Sequence, residues 1–172
     1  MQTSFTEKQL QDKDNKTSET IIRKCVHCGM CNATCPTYGI NGEELEGPRG
    51  RIYLIKDMLE NKKPATKQIA KHIDSCLSCY SCMTTCPSGV NYMHLIDHGR
   101  NYVEETYKRP FFDRLFRNIL SFVLPRPKVF LLMALSSKII KPFSFLFPKF
   151  LKNAISLMPD KIPSKKLKEK KV

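Results

Sequence analysis

The sequence predicts a mainly α-helical protein folded around bound metal, on three observations. All eight cysteines fall in two copies of one twelve-residue frame, CVHCGMCNATCP from Cys25 and CLSCYSCMTTCP from Cys76. The segments around the frames carry apolar residues at helical spacing, and none alternates in the manner of a strand. The net charge of +13 belongs to the second half: residues 1–99 hold 12 Lys/Arg against 11 Asp/Glu, residues 100–172 hold 17 against 5. Two regions of different character follow from that split.

Residues 1–18 are polar and mixed in charge, and we expect a flexible N-terminus there. They contain no apolar signal core, so the expected location is cytoplasmic, where thiols stay reduced and clustered cysteines more often bind metal than pair. Ser18–Lys24 reads as a short helix with Ser18 at its cap. NGEELEGPRG reads as loop, Arg51–Glu60 as a helix, and Ala65–Ser75 as another, with Pro64 at its start and Ile69, Ala70 and Ile73 on one face. Asn91–Lys108 is helical by pattern, with Met93, Ile96 and Val103 as its buried positions. These pieces make residues 19–109 one cysteine-bearing domain.

Pro110 ends it. Phe111–Leu124 sets Phe112, Leu115, Phe116, Ile119, Phe122 and Val123 on one stripe, and a second amphipathic piece runs from Lys128 to Lys141 after the break at Pro125–Pro127. Nine of the ten phenylalanines lie between Phe111 and Phe150, so residues 110–160 form an amphipathic helical extension that needs an apolar surface to rest on; residues 161–172 are a solvated lysine tail. The longest apolar run, Val129–Leu135, is far short of a bilayer span. Contact with a partner subunit is the commoner fate of such a stripe. Peripheral contact with an anionic membrane leaflet is the second reading. Nucleic-acid binding has no aromatic platform or recognised motif behind it.

The cysteines admit three chemistries. Disulfides suit an even count, but pairs this dense make a poor scaffold. Zinc takes four ligands, commonly from two C-x2-C knuckles, and leaves the proline and the exact repetition unexplained. The run C-x2-C-x2-C-x3-C-P is the spacing that holds cubane iron–sulfur clusters, with the fourth cysteine ligating the other cluster. Three thiolates two residues apart on a curled loop reach three corners of one cube. The fourth corner comes from elsewhere. One [4Fe-4S] cluster is therefore assigned to Cys25, Cys28, Cys31 and Cys86, and a second to Cys76, Cys79, Cys82 and Cys35. With every corner filled by cysteine, the expected role is an electron carrier with no catalytic residue of its own. His27 is either exposed or a donor to a cluster sulfur, the first being commoner. Arg49 and Arg51 either offset cluster charge or are solvated at a helix start.

CVHCGMCNATCPTY, GEELEGPRGRIYLIKDMLE, HIDSCLSCYSCMTTCPSGV and LIDHGR together resemble the iron–sulfur subunits of bacterial glycolate oxidase (glycolate dehydrogenase), from about Glu19 to Pro125 and more loosely to about Phe150. The resemblance implies an α-helical ferredoxin fold of the kind found in succinate dehydrogenase iron–sulfur subunits. It also implies FAD-containing partner subunits that oxidise glycolate or a related 2-hydroxy acid, and a quinone-type acceptor at the cytoplasmic face of the inner membrane. The chain itself would be the non-catalytic electron-transfer subunit. A stand-alone two-cluster ferredoxin-like carrier is the alternative. One departure stands out: the family's second half, with paired CCG repeats, has no counterpart after Cys86. The expectation is a fragment, a reduced form, or a split gene whose other half is a separate partner chain.

Overall fold

The computed structural model describes residues 1–140, with side chains to residue 133. Its first compact unit is Met1–Lys108, and a second begins at Arg109. The first contains α1 (Glu7–Leu10), α2 (Lys13–Lys24), α3 (Pro36–Asn41), α4 (Pro48–Asn61), α5 (Lys67–Asp74), α6 (Ser81–Thr84) and α7 (Tyr92–Thr106), with 3-10 turns at Met30–Asn32 and Glu44–Glu46. No strand occurs among the described residues. The mainly α-helical expectation holds.

The core sits where α2, α4, α5 and α7 meet. Ile22, Ile55, Met58, Ile73, Leu95, Ile96 and Val103 are fully buried there. On α7 the apolar positions Tyr92, Leu95, Ile96 and Val103 follow the helical period, so that one face meets α4 and α5. Tyr92 opens this stripe, and the adjacent Met93, expected inside, falls on the exposed side. Ile96 and Val103 are buried as expected.

Residues 1–18, expected as a flexible N-terminus, contain α1 and the first half of α2. Thr6 and Gln9 form a capping box at α1, and Asp12 caps α2 by accepting from the Asn15 amide. The Gln9 side chain donates to the carbonyls of Leu59 at 2.8 Å and Glu60 at 3.0 Å, which fastens α1 to the end of α4. Ser18 caps nothing. It lies inside α2, fully buried, with its hydroxyl 2.7 Å from His98 Nδ1. The loop expected at 41–50 also tightens, because Pro48 pre-sets the first turn of α4 and Glu44–Glu46 forms a 3-10 turn. Gly50 allows this: a Cβ there would stand 2.3 Å from the Glu44 carbonyl oxygen.

The second unit contains α8 (Phe111–Val123) and α9 (Pro127–Ile140). The α8 stripe is helical as expected but exposed, Phe112 to 81%, and only Val123 of its six residues is buried. Arg126 lies 3.9 Å over the Phe122 ring, a cation–π contact at the break between the helices. The remainder of the expected extension, from Lys141 to Phe150 and on to 160, and the lysine tail at 161–172, lie outside the described residues.

Candidate metal centre

The sequence repeat is also a repeat of backbone. Each frame follows a helix, α2 ending at Lys24 and α5 at Asp74. His27 (φ +58°) and Ser78 (φ +52°) occupy equivalent positions in the left-handed region, as do Gly29 (φ +83°) and Tyr80 (φ +56°). Such left-handed residues curl a chain so that successive amides face its concave side. Gly29 takes the conformation freely; Tyr80 holds it at a cost of about 1 kcal/mol. A short helical turn then follows in both copies, Met30–Asn32 and α6. Arg100 of α7 clasps the second loop, donating to Ser78 Oγ at 2.7 Å and to the Cys76 carbonyl at 2.6 Å.

Two cavities open beneath these loops. The first, about 440 Å³ including its mouth, is lined by Cys25, Cys28, Cys31 and Cys86, with Val26, Ile52 and Val90 among its apolar walls. The second, about 300 Å³, is lined by Cys76, Cys79, Cys82 and Cys35. Three shared residues, Pro48, Cys82 and Tyr92, form the partition. Each cavity thus gathers three thiols of one frame and the fourth of the other, and the first also meets Cys82 through the partition.

The thiols feel one another. Burial, then the neighbouring thiols of Cys25, Cys86 and Cys28, push Cys31 up to about 11. Burial, then Cys31, Cys76, Cys35 and Cys79, push Cys82 up to about 12. A metal binding here must displace those protons, and its charge supplies the drive. Soft thiolates on apolar walls with no carboxylate suit iron–sulfur chemistry. The tight packing of a zinc knuckle is absent among the described residues. The trio of ligand-type side chains gathered within 4.8 Å is Glu43, Glu46 and His72, not cysteines. A ZnS4 tetrahedron on 2.3 Å bonds has edges of roughly 3.8 Å.

That trio already holds a cation. Arg51, 1% exposed, donates to Glu46 Oε2 at 2.9 Å, to the His72 carbonyl at 2.7 Å, and to the hydroxyls of Thr37 and Ser75, each at 3.0 Å. The His72 Nδ1–H donates to Glu46 Oε1 at 2.8 Å, and the Ser75 hydroxyl to Oε2. Burial raises the Glu46 pKa, but the bonds from Ser75 and His72 and the Arg51 charge outweigh it and hold the carboxyl below its usual range. Of the two readings for Arg51, the solvated one fails. The guanidinium is buried, with Nη1 3.9 Å from Cys35 Sγ. Arg49 lines the first cavity and pairs with Glu44 through two bonds. His27 also lines the first cavity; its Nδ1 is buried with no hydrogen-bond partner among the described residues, and burial lowers its pKa.

Two residues escaped the sequence reading. Tyr92, 3% exposed, points its hydroxyl at Cys76 Sγ, 3.7 Å away. Arg100 clasps the second frame from α7. LIDHGR was visible as a string, but no periodicity placed its arginine against a loop 22 residues earlier.

Residues 21–90 match the family model of the 4Fe-4S dicluster domain. The glycolate oxidase iron-sulfur subunit of Escherichia coli (strain K12) is 49% identical over 143 residues, which are 83% of this chain and 35% of that protein. The probable glycolate oxidase iron-sulfur subunit of Bacillus subtilis (strain 168) is 32% identical over 65% of this chain and 26% of its own length. The mitochondrial succinate dehydrogenase iron-sulfur subunit of Candida glabrata is 30% identical over 48% of this chain and 35% of that protein. No solved structure matches. The chain spans about a third of the length of the curated relatives it matches. Residues 21–90 therefore match the 4Fe-4S dicluster domain, with an α-helical ferredoxin fold, in a chain that resembles glycolate oxidase iron–sulfur subunits over most of its length.

Proposed function

We propose that this chain is an electron-transfer subunit of a flavin-dependent glycolate (2-hydroxy acid) dehydrogenase, carrying two [4Fe-4S] clusters. The first is held by Cys25, Cys28, Cys31 and Cys86, the second by Cys76, Cys79, Cys82 and Cys35. The observation that carries this reading is the pair of adjoining cavities, each lined by three thiols of one frame and the fourth of the other, with Cys82 on the wall they share. Bound there, the clusters supply one-electron carriers. The cysteines hold them, the apolar walls around Ile52 and Val90 limit water, and Arg51 places a buried cation beside Cys35. No side chain of this chain is assigned to substrate. An FAD-containing partner subunit takes two electrons and two protons from the 2-hydroxy acid and passes the electrons on singly, towards a quinone-type acceptor. The exposed stripe of α8 is the surface offered to a partner, which fits its uncovered phenylalanines.

Anaerobic reconstitution with iron and sulfide tests the first half of the proposal. The expected content is about eight of each per chain, with EPR of two spin-coupled cubanes on reduction. Zinc without sulfide would sink the reading. Mixing with the FAD-containing subunit and glycolate tests the second half: the EPR signals grow in on substrate addition. A chain that accepts electrons only from an artificial reductant is a stand-alone carrier instead.

A further inference from the structure

The two cavities are alike in sulfur and unlike in what faces the sulfur. Around the second, three side chains bring polarised hydrogens to ligand thiols. The Tyr92 hydroxyl lies 3.7 Å from Cys76 Sγ, its one partner among the described residues. The Thr37 hydroxyl stands 3.2 Å from Cys35 Sγ, and Arg51 Nη1 3.9 Å from the same atom. A metal-bound thiolate carries no hydrogen, so the Tyr92 hydroxyl and the Arg51 guanidinium must donate in these contacts, while the one hydrogen of Thr37 is shared with the Glu46 carbonyl, 2.7 Å away. Ser81 adds to the set: its amide and hydroxyl both hydrogen-bond the Cys79 sulfur.

Around the first cavity the chemistry runs the other way. The polar side-chain contact of its thiols is Cys31 Sγ with Asn32 Oδ1 at 3.9 Å, and that oxygen only accepts. Among the described residues no hydroxyl or guanidinium reaches Cys25, Cys28, Cys31 or Cys86. Arg49 also lines this cavity, but it and its partner Glu44 are partly exposed, so water screens that charge as it cannot screen the buried Arg51. His27 lines the same cavity, and its buried Nδ1 bonds to no thiol among the described residues.

Hydrogen bonds to the sulfurs and nearby positive charge stabilise the reduced, more negative form of a cluster and raise its reduction potential. We propose that the two centres are unequal, and that the one held by Cys35, Cys76, Cys79 and Cys82 has the higher potential and retains a single transferred electron. Tyr92 is the principal positioning residue of that difference, since it stands in the partition and donates to one side only. Electron flow within the chain then runs downhill from the first centre to the second. The first is oxidised by one electron, the second reduced by one, and no proton need cross the partition. This inference rests on the ligand assignment proposed above.

The test is an EPR-monitored potentiometric titration of the full reconstituted chain, with and without Tyr92→Phe. Wild-type protein shows two separate waves. Tyr92→Phe moves the higher wave to more negative potential and leaves the lower one in place. The expected loss is about tenfold in the equilibrium constant between the centres, or about 59 mV for a one-electron couple. Movement of the lower wave, or of neither, overturns the inference. Ser81→Ala, at an exposed position, reads the same centre should Tyr92→Phe fail to load, with the same two outcomes. Iron and sulfide near eight with the wrong wave shifted refutes only the inequality of the centres. A protein that takes up no sulfide refutes the proposed function itself.

Discussion

Arg51 is the residue whose replacement tells most about how the fold holds the second frame. Its guanidinium, 1% exposed, spans α4, the turn at Glu44–Glu46 and the end of α5 through four bonds of 2.7–3.0 Å, of which those to Glu46 and the His72 carbonyl are fully buried. Arg51→Met keeps most of the side-chain volume and removes the charge, leaving Glu46 as a buried carboxylate bonded only by His72 and Ser75. Breaking a buried pair from one side costs about 3–5 kcal/mol, because the surviving ion stays desolvated. With a urea dependence of about 2 kcal/mol/M, the unfolding midpoint should fall by about 2 M. Glu46→Gln should cost a similar amount by stranding the arginine. The double variant should recover part of the loss, since neither ion is then left alone. The assay is anaerobic urea unfolding followed by circular dichroism, at matched iron content so that cluster binding cancels. Single losses below about 1 kcal/mol, or a double loss equal to the sum of the singles, would refute the claim that this pair is a coupled, desolvated unit.

Four further outcomes follow from the same coordinates. Cys86→Ser should deplete the first centre and spare the second, and Cys35→Ser the reverse; iron counts near half with distinct residual EPR spectra check the exchange of ligands between frames. Gly50→Ala forces a methyl within 2.3 Å of the Glu44 carbonyl, so a loss of about 1–3 kcal/mol in urea unfolding is expected. Ile55→Ala, at a fully buried position of α4, should cost about 2–5 kcal/mol by the same assay. His98, its pKa lowered first by burial, takes up protons more readily unfolded than folded. Its stabilising effect is therefore present above the unfolded value near 6.5 and is lost as pH falls from there through the folded value. His98→Gln should flatten the stability profile between pH 7 and 5.

The helices of the first unit were legible because their buried faces keep the 3.6-residue period, as with Ile96 and Val103, and because the cysteine spacing is itself a geometric statement. Boundaries failed where a polar segment carried its own caps. Thr6–Gln9 is a T-x-x-Q box and Asp12 a cap, and both signals were present in a stretch that reads as solvent-loving. Met93 misled because it is apolar, yet the stripe on α7 is in register with Tyr92, one residue earlier. Arg51 and Arg49 look interchangeable in GPRGR, but only the first turns under the loop, where Glu46 and His72 wait. Pairings between residues 21 to 26 apart in sequence leave no periodic trace. Tyr92 in the partition is illegible for the same reason.

The partition has a consequence for speed. Tyr92 is the first residue of a helix of 15, held at its start by Asn91, which accepts from the His94 amide, and anchored within one turn by the wholly buried Leu95 and Ile96. When a neighbouring site gains or loses a unit of charge, every dipole free to swing must re-aim, and that relaxation is the barrier to the next hop. Tyr92 is 3% exposed and fixed at its backbone, so a ring that lines both cavities has little room to re-aim once both are filled. The rigidity that separates the two cavities thus keeps the reorganisation energy between them small.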